Sequence, residues 1–447
     1  MNARGMKLHM VSLGCDKNLV DSERMLGILS ARGFVLTDEE AEAEVAVVST
    51  CCFIDDAKKE SIDRIFELAR LKETGKLKVL IAAGCMAERY QDEILEEIPE
   101  LDAIVGTTGI AGIAQAVESA LAGTKGRFFR DISSDPSLPE NTRVVTTGGH
   151  YAYLKIAEGC DKHCTYCAIP SFRGHYRSFP MESLIKEAET LAEGGVRELI
   201  IVAQETTVYG VDLYGKKMLH ELLKKLCRID GIHWIRVLYC YPEEIYPELI
   251  DVMAQEEKIC HYLDLPIQHA ADSVLKRMNR RTDENDLRWL VTHLRSRIPD
   301  IVLRTTLITG FPGETEEEHE TLMSFIRDMQ FDRLGVFMYS REEGTPAAKM
   351  KMQVRAADKK KRYAEIMTAQ QGISLKRHKE RIGTETEVFV EGTLPEEHVT
   401  IGRSYADAPT VDGFVFFRSP KEHVSGDFVK VRITGASAYD LEGEEII

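Results

Sequence analysis

The stretch Cys160–Cys167, with the sequence CDKHCTYC, carries three cysteines within eight residues. Spacings of four and three residues let Cys160, Cys164 and Cys167 converge on one point from a single tight loop. A structural zinc site closes with four protein ligands, and the nearby candidate for a fourth, His163, is badly placed directly beside Cys164. Three thiolates instead fit a cubane iron–sulfur cluster that leaves one iron open, which is typical of catalysis. The alternative is a zinc knuckle or a set of buried structural thiols.

The composition is that of a globular protein with several domains. The chain has 447 residues, enough for about three domains, with hydrophobic and charged fractions of 44% and 29%. Its net charge is −16, from 57 basic and 73 acidic residues. Proteins that bind mainly through phosphate contacts need clustered Lys and Arg. A main affinity for nucleic acid is therefore not favoured, although a local basic patch stays open.

Ten cysteines are spread over the chain, at positions 15, 51, 52, 85, 160, 164, 167, 227, 240 and 260. The first residues contain no apolar signal core, and no apolar run is long enough to span a bilayer. We therefore expect a cytoplasmic protein without membrane association, whose cysteines serve metal or redox chemistry rather than disulfides. Cys227, Cys240 and Cys260 lack ligand spacing and are assigned structural roles.

Residues 6–125 alternate short apolar runs with helical patterns, which predicts an open parallel α/β sheet. Three predicted strands each end just before a cysteine: Leu8–Leu13 before Cys15, Val45–Val48 before Cys51 and Cys52, and Val79–Ala82 before Cys85. Ligands bind at the carboxyl ends of parallel strands. We therefore expect Cys15, Cys51 and Cys85 to meet at one sheet edge and hold a second cluster with its own open iron. The alternative is that these cysteines pack as small hydrophobic side chains.

The central domain, residues 150–375, follows a predicted linker over residues 126–149 that lacks periodicity. Six apolar runs separated by helical patterns predict a partial (β/α)6 barrel. The runs are Tyr153–Ala157, Leu199–Ala203, Trp234–Tyr239, Tyr262–Ile267, Ile301–Ile308 and Leu334–Tyr339. The cysteine loop follows the first run, at the strand end where catalytic groups of barrels lie.

The last domain, residues 376–447, follows a long charged helix predicted over Val354–Lys379, whose charged face is expected to be solvated. Its strand-like alternation between Gly and Pro turns predicts a small antiparallel β-barrel. Small barrels often bind RNA, but residues 376–447 carry nine Lys and Arg against fourteen Asp and Glu. This balance disfavours an RNA-binding role and favours a basic protein partner.

The cysteine motif, with an aromatic residue before its last cysteine, resembles that of the radical S-adenosylmethionine (SAM) enzymes. Its flanks, Ile156–Gly159 and Ile169–Gly174, are more narrowly similar to the methylthiotransferases of that superfamily, as are Leu13–Asn18 and Ser49–Cys51. That family usually has glycine at the position of Cys52, so Cys51 is the expected ligand. The tail, by its place after this core, resembles the TRAM domain, an OB-like module that presents the macromolecular substrate.

The resemblance implies two 4Fe-4S clusters, one on Cys160, Cys164 and Cys167 and the other on Cys15, Cys51 and Cys85. It also implies SAM as both radical source and methyl donor, and a low-potential electron donor such as a flavodoxin or ferredoxin. The first cluster would cleave SAM to methionine and a 5′-deoxyadenosyl radical. The second would present sulfur to the substrate carbon radical.

Further cofactor contacts are expected from residues near the predicted strand ends, namely Tyr166, Gly194, Gly195, Gln204, Arg304 and Gly313. The resemblance implies that Tyr166 lies near the adenine. Gly313 belongs to a Gly-rich turn that permits close backbone approach to a ligand, and a capping box after it opens the next helix. Arg304 would be costly to bury unpaired, so it holds either the SAM carboxylate or a structural acid.

Two branches of the family compete, one modifying a transfer RNA adenosine and the other the β-carbon of an aspartate in a small-subunit ribosomal protein. Ala203–Tyr214, Tyr339–Pro346 and Tyr405–Gly413 are similar to the ribosomal-protein branch, with Glu205 in place of its usual aspartate. The acidic tail supports the same branch. We therefore expect methylthiolation of that aspartate, with the ribosomal protein or subunit as partner. The transfer RNA branch, and a zinc-holding ribosome- or RNA-associated binding protein, are the alternatives.

Overall fold

The computed structural model describes residues 4–134, 143–394 and 396–447. Its first domain is a six-stranded parallel sheet in the order β2-β1-β3-β4-β5-β6. The strands are β1 Lys7–Ser12, β2 Val35–Leu36, β3 Val45–Thr50, β4 Val79–Gly84, β5 Ala103–Val105 and β6 Gly126–Phe128. The helices are α1 Asp16–Ala31, α2 Asp55–Thr74, α3 Cys85–Glu97 and α4 Ile113–Leu121. Every residue of β3 and β4 is buried, as expected for parallel strands covered on both faces.

The segment predicted as a linker begins inside this sheet, because β6 lies at Gly126–Phe128 and pairs with β5. Residues 135–142 of that prediction, including Asp135 and Pro136, lie outside the described residues. The part that follows is fastened to α1. Arg143 forms ion pairs with Glu23 (2.6 Å) and Glu187 (2.9 Å), and Thr146 donates its backbone N–H to Glu23 (2.7 Å).

The central domain is an open barrel of six parallel strands in the order β14-β13-β12-β11-β10-β7. These strands are β7 Tyr151–Lys155, β10 Glu198–Val202, β11 Trp234–Val237, β12 Ile259–Asp264, β13 Val302–Thr309 and β14 Arg333–Met338. The short strands β8 Ala157–Glu158 and β9 Arg177–Ser178 form a separate antiparallel pair. The predicted partial (β/α)6 architecture is therefore confirmed.

The central helices are α5 Ile169–Arg173, α6 Met181–Glu193, α7 Val211–Tyr214, α8 Leu219–Leu226, α9 Pro247–Gln255, α10 Asp272–Arg277, α11 Glu284–Arg297 and α12 Glu316–Met329. Residues such as Leu154 and Ile201 pack with these helices in the largest hydrophobic cluster. Their neighbours along the strands point to the opposite face. There Tyr153 and Ile200 pack with Val20 of α1 and with Phe389 of the last domain. Both outer domains therefore close onto the inner face of the barrel sheet.

Helix α13, Ala356–Glu380, leads into a closed five-stranded barrel in the order β15-β16-β17-β19-β18. Its strands are β15 Glu385–Leu394, β16 Val399–Ser404, β17 Val415–Arg418, β18 Phe428–Ala436 and β19 Leu441–Glu445. A buried ion pair of 2.7 Å between Arg403 and Glu198 of β10 joins this barrel to the central sheet. The small β-barrel predicted from the alternation is confirmed. Across the described residues, none of the helices is long and apolar enough to cross a membrane.

Candidate active site

The first candidate site lies where β1, β3 and β4 end. The positions just before the three cysteines are direct register partners across the sheet, Ser12 with Ser49 and Ser49 with Ala83. The chain then turns at all three places, so Cys15 precedes α1, Cys51 follows β3, and Cys85 opens α3. All three cysteines are free. The structure thus brings them to one edge, as predicted; we call Cys15, Cys51 and Cys85 the auxiliary trio.

Glycine makes this close approach possible. Gly14 has φ +87°, and a Cβ added to it would lie 2.7 Å from Cys51 Cβ and 2.8 Å from Cys51 Sγ. Gly84 has φ +89°, and a Cβ added there would lie 3.0 Å from the carbonyl oxygen of Thr50. A side chain at either position would displace the neighbouring strand end. The glycine before each of Cys15 and Cys85 is therefore required by the turn that presents the thiol.

Asn18 ties these strand ends together. Its Nδ2 donates to the carbonyl oxygens of Leu13 (3.0 Å) and Thr50 (2.9 Å), and its Oδ1 lies 3.5 Å from Cys85 Sγ. On the other side, Ser61 of α2 accepts a hydrogen bond from Cys51 N–H and donates one to Cys51 O, both 3.0 Å long. The Asn18 and Ser61 side chains are fully buried. Their hydrogen bonds to the backbone beside the cysteines hold the trio in place.

Burial shapes the chemistry of the auxiliary trio. It raises the pKa of the Cys51 and Cys85 thiols, and the Arg173 guanidinium acts against it in both cases. A bound metal cluster would remove these protons, because a coordinated thiol is deprotonated. Cys15 is the exposed member of the trio. One edge of the site is thus open to a substrate while the other two ligands are enclosed.

The side chain of Cys52 packs in the same hydrophobic cluster as Cys85 of the trio. It is fully buried in the hydrophobic cluster that includes Ile65 and Leu68, and burial raises its pKa to about 12. Its backbone carbonyl accepts a hydrogen bond from Arg89. The assignment of Cys51, rather than Cys52, to the trio stays a prediction; the close approach of Gly14 to Cys51 Sγ, beside Cys15, favours it.

The second candidate site is the loop of Cys160, Cys164 and Cys167, which we call the loop trio. It leaves β8 at Gly159, where φ is +73° and an added Cβ would lie 2.0 Å from the carbonyl oxygen of His175. The loop is then held from both sides. Cys160 N–H donates to Gly174 O (3.1 Å), Thr165 Oγ1 donates to Arg277 O (2.8 Å), and the His163 carbonyl accepts from Asn279 (2.9 Å).

The three loop thiols are free; Cys160 and Cys164 are buried and Cys167 is half-buried. Burial first, and then the charges of Cys164 and Glu205, raise the pKa of Cys160 to about 12, against a hydrogen bond from the Lys162 backbone. The Lys162 N–H lies 3.4 Å from Cys160 Sγ, and the Tyr241 hydroxyl lies 3.6 Å from Cys164 Sγ. His163 is exposed, so the loop offers three sulfurs without an imidazole among them.

The two trios face each other across the domain interface. Asp16, beside Cys15, accepts a hydrogen bond of 3.3 Å from the Tyr239 hydroxyl, just beyond β11. Lys17 Nζ lies 3.1 Å from the centroid of the same ring. From the other direction, Arg173 follows the loop trio in the chain and reaches Cys85 Sγ at 3.3 Å. Neither Arg173 nor Tyr239 was among the predicted site residues, although Arg173 lies within the stretch Ile169–Gly174 that resembles the methylthiotransferases.

Three of the predicted cofactor residues lie at the loop end of the barrel. Tyr166 packs edge-on against Phe311, with ring centroids 6.5 Å apart, which places it beside the turn that contains Gly313. Gly313 has φ +76° and open space around its Cα, the nearest contact of an added Cβ being Arg277 at 3.7 Å. Gln204 directly follows β10. Its Oε1 is buried and has no hydrogen-bond partner among the described residues.

The positions of Gly194 and Gly195 do not agree with the cofactor contact predicted for them. Gly194 ends α6, and Gly195 (φ +101°) turns the chain into β10. They precede β10, whereas the cysteine loop follows β7 and β8, and β7 and β10 run parallel. The glycines therefore lie at the opposite end of the sheet from the loop. Their conformational freedom serves a helix-to-strand turn and not a cofactor.

Arg304 holds a structural acid. Its NH1 donates to Asp264 Oδ1 at 2.8 Å, and its Nε lies 3.8 Å from Asp412 of the last domain. Burial opposes its charge, but Asp264 and its neighbours raise the pKa of the guanidinium well above its ordinary value. Of the two roles considered for Arg304, the structure shows the ion pair with a structural acid.

Glu205 is a site residue whose chemistry the sequence analysis did not foresee. Its carboxyl is buried, and this burial raises its pKa to about 7, against hydrogen bonds from Thr207. Oε1 accepts the Thr207 backbone N–H at 2.9 Å, while Oε2 is without a hydrogen-bond partner in the described part of the chain. An unpartnered buried carboxyl oxygen beside the loop trio is suited to a polar cofactor group.

Each trio offers three free thiols, and thiolates are the usual ligands of iron–sulfur clusters. No three His, Cys, Asp or Glu side chains lie close enough to hold a single metal ion in residues 4–134, 143–394 and 396–447. In a cubane each thiolate binds a different iron, so its ligands stand further apart than three ligands of one ion. Together with the unpartnered Gln204 and Glu205 oxygens, the residues fit a cluster with a polar molecule bound beside it.

A parallel open barrel with a Cys-x3-Cys-x2-Cys loop after its first strand defines a radical SAM enzyme. The radical SAM superfamily model matches residues 154–326, the TRAM domain model residues 382–446, and the model described as uncharacterized protein family UPF0004 residues 7–106. Ribosomal protein uS12 methylthiotransferase RimO of Lachnoclostridium phytofermentans is 59% identical over 98% of this chain and 99% of its own. That of Geobacter sulfurreducens is 50% identical over 98% of each chain. The chain belongs to the ribosomal protein uS12 methylthiotransferase family.

Among solved structures, the radical SAM methyltransferase TsrM of Kitasatospora setae, with tryptophan and a SAM analogue bound, superposes with a TM-score of 0.57. The two chains are 13% identical, and the match covers 83% of this chain and 89% of that one. Such a likeness concerns the fold.

Proposed function

We propose that this protein adds a methylthio group to the β-carbon of an aspartate in ribosomal protein uS12, in the cytoplasm. It would do so with SAM and two 4Fe-4S clusters, one on the loop trio and one on the auxiliary trio. The observation that carries the proposal is the pair of free cysteine trios on facing edges of two adjoining domains. The relatives over the full chain length support the same activity.

Each trio has a distinct role in this proposal. Cys160, Cys164 and Cys167 would hold the cluster that binds SAM, with Tyr166, Gln204 and Gly313 lining the SAM site and Glu205 offering its free carboxyl oxygen. Cys15, Cys51 and Cys85 would hold the cluster that carries sulfur. When bound, these groups supply a 5′-deoxyadenosyl radical and a sulfur donor for a C–H bond that no side-chain base could deprotonate at neutral pH.

The chain's own residues position this chemistry. The barrel end is closed by α1 on one side, through Lys17 and Asp16 against Tyr239, which limits the access of water to a reactive radical. Cys15 and Cys167 are the more accessible members of their trios, so each site would keep one sulfur within reach of a substrate. A substrate side chain that enters from the interface would therefore meet both sites together.

The last domain supports a basic protein as substrate. Its fourteen acidic residues outnumber its nine basic ones, and Glu385, Glu442 and Glu444 are exposed on its strands. Complementary charge accelerates and orients association with a positively charged partner. A low-potential donor of the flavodoxin or ferredoxin type would deliver the electrons.

The test gives anaerobically reconstituted, reduced protein SAM together with either ribosomal protein uS12 or transfer RNA, and weighs both products. A methylthio group on uS12 alone is expected. Modified transfer RNA would instead support the other branch of the family. About eight irons per chain are expected, whereas zinc in place of iron would support a binding protein.

The variant Cys15→Ala tests the division of labour between the trios. It should keep reductive cleavage of SAM, since the loop trio is intact, and lose sulfur transfer to uS12. Release of 5′-deoxyadenosine and the mass of uS12 are measured in the same reaction. If Cys15→Ala still methylthiolates uS12, the assignment of separate roles is wrong.

A further inference from the structure

Arg173 connects the two trios through one buried side chain. It is the last residue of α5 and lies six positions after Cys167, so it belongs to the segment that leaves the cysteine loop. Its side chain is 2% exposed and points into the first domain. There NH2 donates to Cys85 Sγ at 3.3 Å and to Asn18 Oδ1, and NH1 donates to Asp21 Oδ2 at 2.8 Å.

Arg173 has two carboxylate partners besides Cys85. Asp21 also pairs with Lys155, and Glu158 lies 3.2 Å from Arg173 and pairs with the same lysine. These two cations and two carboxylates form a buried ion group, and the buried Arg177 also acts on Glu158. A buried ion group of this kind is weak evidence for stability, because well-packed apolar residues would hold two domains together as well. An apolar side chain in place of Arg173 could not, however, donate a hydrogen bond to Cys85 Sγ.

The environments of the two trios differ at this point. The loop sulfurs receive a backbone N–H, from Lys162 to Cys160, and a tyrosine hydroxyl, from Tyr241 to Cys164. Cys85 receives a charged guanidinium N–H in a buried setting. Hydrogen bonds to cluster sulfurs and low solvent exposure are among the factors that set the reduction potential of an iron–sulfur cluster. A positive donor stabilises the reduced state most, since reduction adds a negative charge.

We infer that Arg173 is a positioning residue that, through Cys85, raises the reduction potential of the auxiliary cluster. This inference rests on the proposed function, since it requires a cluster on Cys15, Cys51 and Cys85. Asn18 completes the arrangement: it accepts from the same NH2 group and donates to the strand ends beside Cys15 and Cys51. The guanidinium is therefore aimed at the sulfur by a side chain that also holds the other two ligands in place.

The experiment isolates the auxiliary cluster in a full-length protein with Cys160, Cys164 and Cys167 all replaced by Ala. Two changes are made in that background. Arg173→Lys keeps the positive charge but cannot make both contacts, and the double change Arg173→Gln with Asp21→Asn removes one charge of each sign. Iron content and an EPR-monitored redox titration are measured on each anaerobically reconstituted protein.

Both proteins should keep the iron of the parent. The double change should shift the midpoint to more negative potential by at least a tenfold change in the ratio of reduced to oxidised cluster, about 59 mV for one electron. Arg173→Lys should give a smaller shift in the same direction. Glu187→Gln is the control, because Glu187 pairs with Arg24 of α1 (3.1 Å) and Arg143 (2.9 Å) and forms no hydrogen bond with a cysteine of the described residues. It should leave the midpoint unchanged.

The outcomes separate this inference from the function on which it rests. A parent protein without iron would remove the auxiliary cluster itself and with it the proposed function. A parent with full iron whose midpoint is unchanged in both Arg173 proteins overturns the role of Arg173 alone. Loss of iron in both Arg173 proteins, with Glu187→Gln retaining it, would show a purely structural residue and overturn the role as well.

Discussion

The two cysteine trios are built in opposite ways. The loop trio lies within eight residues, on one turn of chain between β8 and α5. The auxiliary trio is gathered from three strand ends 36 and 34 residues apart, and it exists only because β1, β3 and β4 are neighbours in register. Each trio nevertheless has two buried members and one more accessible member. Local spacing in the loop trio and sheet topology in the auxiliary trio thus produce the same kind of three-sulfur site.

The way in which each trio is held determines how it responds to amino-acid substitutions. The loop trio is held by hydrogen bonds that each use a backbone carbonyl, those of Gly174, Arg277 and His163. The auxiliary trio depends on side chains from elsewhere, above all Asn18 and Arg173. We therefore expect substitutions outside the cysteines to affect the auxiliary site more than the loop site.

The largest expected effect comes from Cys164→Ala, which breaks the loop trio. Iron should fall by about half, from about eight to about four per chain. Both the release of 5′-deoxyadenosine and the modification of uS12 should fall to background, because one reaction depends on the other. Cys15→Ala is the control with the same iron loss but intact SAM cleavage. SAM cleavage retained in Cys164→Ala would remove the distinction between the trios.

An intermediate effect concerns Glu205, which lies on the loop side. Its folded-state pKa of about 7 is above its ordinary value of 4.5 because the carboxyl is buried. Its contribution to stability is therefore complete below pH 4.5 and is lost as the pH rises through 7. Relative to Glu205→Gln, the wild type should lose about 3 kcal/mol of unfolding free energy over that interval.

The measurement is denaturant unfolding of both proteins, prepared without iron, from pH 4.5 to 8. The Gln side chain can still accept the Thr207 N–H that Glu205 accepts at 2.9 Å, so the comparison isolates the titrating proton. A difference between the two proteins that stays constant across this range would show that folding does not raise the pKa of Glu205.

The smallest expected effect is that of Cys52→Ala, which tests whether Cys52 lies outside the auxiliary trio. Cys52→Ala should leave iron content and activity unchanged and cost about 1 kcal/mol of stability, since it removes one buried sulfur from a packed cluster. Cys51→Ala, one residue away, should lose about half the iron. Iron analysis and thermal unfolding of this pair test the assignment directly. Equal iron loss in both variants would mean that the strand end is placed differently.

Much of this architecture follows from the sequence, because its signals are local. The period of the apolar runs predicted both the parallel sheets and the terminal barrel, and the Thr315–Glu318 capping box opens α12 as predicted. The linker prediction failed at β6, whose three residues pair at the edge of a sheet and are too few to show a pattern. Gly194 and Gly195 failed for another reason: a glycine pair marks a turn but does not say which end of a strand it serves.

The sequence by itself determined the loop trio, the strand that ends before each cysteine of the auxiliary trio, and the acidic tail. Spacing and composition are properties of the chain that need no fold to be read. Only the tertiary structure decided that Arg304 meets Asp264, that Glu205 is buried beside Cys160, and that Arg173 crosses from one trio to the other. Such contacts join residues as far as 155 positions apart, as between Arg173 and Asn18. Their energies depend on burial and on a partner's position, and neither is written in local sequence.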